Sequence, residues 1–214
     1  MCIRDRFKNV KKISSQQGGL LDVLYNKGWI YFSYSHVFKK GNIDDRSSSR
    51  FSSTAIARGI LKDNKISNLE VLFIAKPKLI SGKHFGSRMV IKDQFIFASF
   101  GDRGLGMIAQ DPEQHPGSII RIKTDGSLPP DNPKAKGKKN WLPEIYQIGL
   151  RNPQGMTINP NNNNIYMSFI ELYQHDFLKK HLEYFPGNSK LHVENINESY
   201  DTIGVVDAVF KVLT

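Results

Sequence analysis

A single cysteine, Cys2, in a chain of 214 residues excludes an internal disulfide framework and any cysteine-based zinc cluster. Long apolar runs are also missing. None approaches the roughly 18 residues that a membrane-spanning helix needs, and no signal peptide is visible at the start. Acidic residues are scarce: 20 Asp and Glu stand against 30 Lys and Arg, for a formal net charge of +10. The densest basic run, Lys134, Lys136, Lys138 and Lys139, lies in a Pro/Gly-rich segment with no interleaved aromatic residues. It therefore reads as a solvated loop and not as a groove for single-stranded nucleic acid, so no nucleic-acid partner is expected. A basic field of this size favours an anionic ligand. Hydrophobic residues make up 39%, enough for a real core.

What is present is an internal repeat. Val23-Leu24-Tyr25 to Trp29-Ile30-Tyr31-Phe32-Ser33, Met89-Val90-Ile91 to Phe95-Ile96-Phe97-Ala98-Ser99, and Met156-Thr157-Ile158 to Ile165-Tyr166-Met167-Ser168 each read as an apolar run, a polar turn and a β-rich run ending in serine. That is the pattern of a hairpin with a buried face. The closing serines are 66 residues apart (33 to 99) and then 69 apart (99 to 168). His84 and Arg151 each stand five residues before their apolar run, and Gln17 stands six before. Where repeated sheets surround one axis, equivalent positions converge there, so these three residues are expected to face one pocket.

Residues 13–168 are strand-rich, with further strands expected over Thr54 to Leu61, Leu69 to Ala75 and Ser118 to Lys123. Gly41 to Arg50 and Pro129 to Asn140 read as long loops. Residues 1–12 are set apart: Met1-Cys2-Ile3-Arg4-Asp5-Arg6 resembles a translated sequencing-adapter remnant, and the segment is expected to be an artefact or a disordered leader. Beyond Ser168 the character changes. Leu172 to Phe185 and Ile203 to Leu213 carry apolar residues near helical spacing, so residues 169–214 read as an unrelated α/β tail.

Two segments carry the chemistry. Ser81-Gly82-Lys83-His84-Phe85-Gly86-Ser87-Arg88 puts a histidine among glycines at the mouth of a strand. A lone histidine is usually structural, but Gly101-Asp102-Arg103-Gly104 follows the second strand of the same hairpin, and antiparallel pairing brings the two ends to one edge. Asp102 either fixes the His84 tautomer and supports its charge, or stabilises its own glycine turn. Leu150-Arg151-Asn152-Pro153-Gln154-Gly155 combines a permanent cation and two amides with a proline. It suits either an oxyanion grip or a strand-leading loop whose polar groups bond backbone.

Five ordered segments now resemble a family. Gln17-Gly18-Gly19-Leu20-Leu21-Asp22-Val23, His84-Phe85-Gly86-Ser87-Arg88, Gly101-Asp102-Arg103-Gly104, Gly117 to Ile122 with Asp125 to Pro133, and Leu150 to Gly155 follow the order found in the soluble PQQ-dependent, glucose/sorbosone dehydrogenase-like aldose dehydrogenases. The resemblance covers roughly residues 13–168. It implies an all-β fold, about half of a six-bladed β-propeller of four-stranded antiparallel blades, followed by the short α/β tail. It implies oxidation of an aldose at C1 to a lactone with hydride transfer to PQQ, and an electron acceptor as second partner. His84 would be the general base, Asp102 would orient it, and Arg151 with Asn152 would meet the quinone oxygen. Gln17 and Gln154 would help to hold the cofactor. A periplasmic or secreted location follows from the same resemblance.

The departures are equally specific. The family's strand after the Arg-Asn-Pro-Gln-Gly hairpin runs into an acidic, glycine-rich loop for Ca²⁺, whereas Ser168 here is followed by Phe169-Ile170-Glu171-Leu172-Tyr173. No metal ligand is therefore assigned, and the fragment alone is expected to be inactive. The segment from Tyr173 through Tyr184-Phe185-Pro186 to Leu213 resembles a sulfotransferase C-terminus, without that family's phosphosulfate loop. The alternative function is a non-catalytic β-propeller module that binds carbohydrate or protein.

Overall fold

The computed structural model describes residues 17–37, 51–134, 136–172 and 205–212. The leader at 1–12, the loop at 41–50 and, apart from Leu172 itself, the near-helical stretch expected over Leu172 to Phe185 lie outside the described residues. Three antiparallel sheets follow one another along the chain. The first is built from β1 (Leu20–Asn26), β2 (Trp29–Val37), β3 (Phe51–Lys62) and β4 (Lys65–Ile74) in sequence order, with the short β5 (Leu79–Ile80) pairing β3. The second contains β6 (Gly86–Lys92), β7 (Phe95–Phe100), β8 (Ser118–Lys123) and β9 (Ile145–Ile148), also in order. The third contains β10 (Pro153–Ile158), β11 (Ile165–Leu172) and β12 (Val205–Val212). Apart from a short 3-10 helix over Gly106–Gln110, the described elements are strands. These sheets are successive blades of a β-propeller, and the three repeat hairpins are their leading strand pairs.

Alternation along the strands explains the stacking. Ile96, Ala98 and Phe100 of β7, with Ile120 and Ile122 of β8 and Met89 of β6, pack with Tyr31, Ile56 and Ala75 of the first blade and its end. The intervening residues Val90, Phe97 and Ile119 pack with Leu150, Ile165 and Met167 on the other side. The middle blade is thus apolar on both faces, so its strands read as nearly continuous hydrophobic runs. Each fully buried side chain of this kind contributes about 1.5–3 kcal/mol. Phe32, Tyr34, Ala55 and Ala57 form a separate cluster on the opposite face of the first blade.

Each leading strand carries a β-bulge near its start: between Leu20 and Asp22, between Gly86 and Met89, and between Pro153 and Gly155. A bulge re-aims the residues before it. The repeated serines sit against these bulges. Ser33 is opposite Asp22, the Ser99 hydroxyl accepts from the Arg88 N–H at 3.2 Å, and Ser168 is opposite Gly155. A Cβ at Gly155 would run into the Ser168 hydroxyl, which explains glycine there.

One sequence expectation is corrected. Val205–Val212, read as near-helical, is a strand that pairs with β11 over eight residues, from Ile165↔Val212 to Leu172↔Val205. The run Val-Val-Asp-Ala-Val-Phe-Lys-Val is rich in β-branched residues, and an available strand edge decides between two readings that short apolar runs leave open. The boundary expected between residues 168 and 169 falls inside β11. The lysines at 134, 136, 138 and 139 are exposed in the long connection from β8 to β9. No helix among the described residues is long and apolar enough to cross a membrane.

Candidate active site

The site is assembled where β7 leaves the second blade. Its exit, Gly101 to Arg103, runs between the His84 loop and the Arg151 loop. The Gly101 N–H donates to the Phe85 carbonyl at 3.3 Å, the Asp102 N–H to the Arg151 carbonyl at 2.7 Å, and the Arg103 N–H to the His84 carbonyl at 3.3 Å. A Cβ on Gly101 would collide with the His84 carbonyl and press on the Arg151 carbonyl at 3.1 Å. Only glycine lets these three backbones approach so closely.

Gln17 joins from the start of the first blade. Its Oε1 accepts from the His84 N–H at 2.7 Å, and its own N–H donates to the Gly82 carbonyl at 3.1 Å. The loop it touches is unusual in its backbone: His84 has φ +46°, Gly86 +63° and Ser87 +82°. Left-handed conformations are uncommon for residues with a side chain, and they persist only when surrounding contacts hold them.

His84 and Asp102 meet directly, with Nδ1 2.7 Å from Oδ1. Asp102 is buried, while the His84 side chain keeps 16% of its surface exposed. The two readings of Asp102 are both true of the geometry, because Oδ1 also accepts from the Gly104 N–H at 2.8 Å and Oδ2 from the Gly106 N–H at 3.2 Å. An ionised carboxylate only accepts, so Nδ1 carries a proton, and in the neutral ring the lone pair is then on Nε2. Among the described residues Nε2 has no hydrogen-bond partner. A histidine in this tautomer, backed by a carboxylate, is suited to take a proton.

Arg151 and Asn152 are half-buried on the adjoining loop, and the Gln154 amide donates to Asn152 Oδ1 at 2.9 Å. Gln17, His84, Asp102 and Arg151 therefore form one connected group, while Asn152 follows Arg151 on the same loop and Gln154 stands at the start of β10. Two contributors were missed in the sequence. Arg88 Nε donates to the Gln154 carbonyl at 2.7 Å and its Nη1 to the Leu21 carbonyl at 3.1 Å, so one side chain ties all three leading strands together. Asp22 accepts from the Met89 N–H at 2.8 Å and lies 3.7 Å from Arg88. The signal was available: Asp22 and Arg88 stand at the same place, one residue before the apolar run of their repeats.

A second buried histidine does different work. His115 is fully buried, accepts the Lys76 N–H on Nδ1 at 2.8 Å and places Nε2 2.9 Å from Glu144 Oε1. It is the opposite tautomer to His84, and it ties the end of the first blade to the second. Burial raises the Glu144 carboxyl, but the hydrogen bond from His115 leads the opposing contributions, which outweigh burial and hold the group below its ordinary value of 4.5.

The model of the glucose/sorbosone dehydrogenase family matches residues 3–171. The aldose sugar dehydrogenase YliI of Escherichia coli is 34% identical over 160 residues, covering 71% of this chain and 40% of that protein. The crystal structure of the soluble aldose sugar dehydrogenase from Escherichia coli in its apo-form superposes with a TM-score of 0.65 at 33% identity, covering 74% of this chain and 45% of that one. The PQQ-bound form of an aldose sugar dehydrogenase from Streptomyces coelicolor shares the fold at a TM-score of 0.54 and 20% identity, over 77% of this chain and 46% of that one. The chain thus spans less than half the length of these relatives.

Proposed function

The chain belongs to the glucose/sorbosone dehydrogenase family, and from that premise we propose that it forms the proton-abstracting part of a quinoprotein that oxidises aldose sugars at C1 to lactones. The observation that carries this reading is the buried Asp102 carboxylate 2.7 Å from Nδ1 of His84, whose side chain stays partly exposed. Nε2 removes the proton of the C1 hydroxyl, and the developing positive charge on the ring is balanced by Asp102 through the Nδ1–H.

The donor set fits PQQ, a polyanionic quinone. Oε1 of Gln17 is occupied by the His84 N–H, which leaves its amide N–H groups to donate. Oδ1 of Asn152 is likewise occupied by Gln154, and Arg151 beside it carries a permanent cation. The chemistry that PQQ brings is acceptance of two electrons, as hydride from C1 of the sugar. Donors at Arg151 and Asn152 stabilise negative charge as it gathers on an oxygen, so they act most strongly in the transition state. The partners are an aldose and a separate electron acceptor.

The test is dye-linked aldose oxidation by this chain joined to the remaining part of the Escherichia coli relative. Dye reduction that needs both aldose and PQQ is expected. A folded, PQQ-binding chimera without it would overturn the reading.

A further inference from the structure

We propose that Arg103 is a positioning residue: its guanidinium clamps the loop that carries His84 and thereby holds the imidazole against Asp102 in the tautomer that leaves Nε2 bare. The catalytic consequence rests on the oxidoreductase reading, whereas the clamp itself is geometric.

Arg103 is only 4% exposed and no carboxylate is among its hydrogen-bond partners. A buried cation without a counter-ion is costly, and burial pushes this guanidinium down to about 10. What compensates is a fan of neutral acceptors. Nε donates to the Lys83 carbonyl at 3.0 Å, Nη1 to the Ser52 carbonyl at 3.2 Å, and Nη2 to the Ser52 hydroxyl at 3.0 Å and to the Ser81 carbonyl. The planar group also stacks on Phe85, 3.8 Å from the ring centroid.

These partners have a pattern. Ser81, Lys83 and Phe85 flank His84 on one loop, and Ser52 belongs to β3 of the first blade, so the side chain fastens that loop to a strand. The backbone of Arg103 adds two more ties, donating to the His84 carbonyl at 3.3 Å and accepting from the Ser81 hydroxyl at 2.6 Å. Its peptide neighbour is Asp102. One residue therefore controls both halves of the His84–Asp102 contact, and it does so around a loop with left-handed backbone at His84 and Ser87. Lysine cannot substitute: a single ammonium on a flexible stem has no planar fork to reach three carbonyls while stacking on a ring.

The experiment is long-range ¹H–¹⁵N correlation of the histidine side chains in the 214-residue chain, with no sugar, cofactor or turnover involved. Failure of the oxidoreductase reading would therefore leave its result standing. His84 is expected to show a protonated Nδ1 and a bare Nε2, and His115 the reverse, which makes His115 the internal control for the fold. In Arg103→Lys the His84 pattern is expected to lose its protonated Nδ1 signature while His115 stays unchanged. An unchanged His84 pattern beside an unchanged His115 would overturn the proposal. Should Arg103→Lys also lose the His115 signals, Ser52→Ala decides, since it removes one acceptor of the clamp from a strand that does not touch the imidazole. A partial shift of His84 toward the other tautomer is expected there, and no shift would overturn the proposal.

Discussion

The backbone N–H of Asp102 donates to the carbonyl of Arg151 at 2.7 Å, which fastens the exit of the second blade to the loop that opens the third. The same residue holds the imidazole of His84 through its side chain. The spacing between the two candidate polar loops is therefore set by one short segment, Gly101 to Arg103, and not by the loops themselves.

Gly101→Ala should break that spacing. The added methyl collides with backbone at His84, which cannot swing aside as a side chain would. A loss of about 1–3 kcal/mol in unfolding free energy is expected, measured by urea titration.

The packing between blades gives a second expectation. Ile120 is fully buried between the first and second blades, so Ile120→Ala should cost about 2–5 kcal/mol. Val23, on a leading strand but 57% exposed, should lose no more than about 0.5 kcal/mol on truncation to alanine. Equal losses in the two urea titrations would contradict the alternation described for these sheets.

The His115–Glu144 contact gives a pH dependence. The folded carboxyl is held below its ordinary 4.5, so its contribution is fully present above that value and is lost as pH falls through the lower folded one. Glu144→Gln should lower the Tm at neutral pH by about 2–4 °C, the effect of about 1 kcal/mol in a chain of this size. The difference from the parent should shrink as the pH is taken below 4.5. A difference that grows in acid would reverse the assigned sign.

The leading hairpins and their common phase were legible because a blade buried on both faces leaves an apolar run such as Phe95 to Ser99 that few other structures need. Convergence of Gln17, His84 and Arg151 followed from that phase. Other features were not legible. The left-handed backbone at His84 is held by contacts from Gln17 and Arg103, and that at Ser87 by the Ser33 hydroxyl on its carbonyl, all of which lie far off or on the next hairpin edge in sequence. The double use of Asp102 could not be separated from a simple glycine turn, because both demand the same residue at the same place. Val205–Val212 read as near-helical because its preference is settled by the edge of β11, which a local pattern does not contain.

The most direct measurement of the central claim is single-turnover reduction of PQQ by an aldose, followed by quinone absorbance, in this chain joined to the remaining part of the Escherichia coli relative. His84→Ala should slow the reduction by about 10²- to 10⁴-fold, the usual contribution of a general base, with PQQ binding nearly intact. An unchanged rate in a folded His84→Ala protein would remove His84 from proton abstraction and contradict the account.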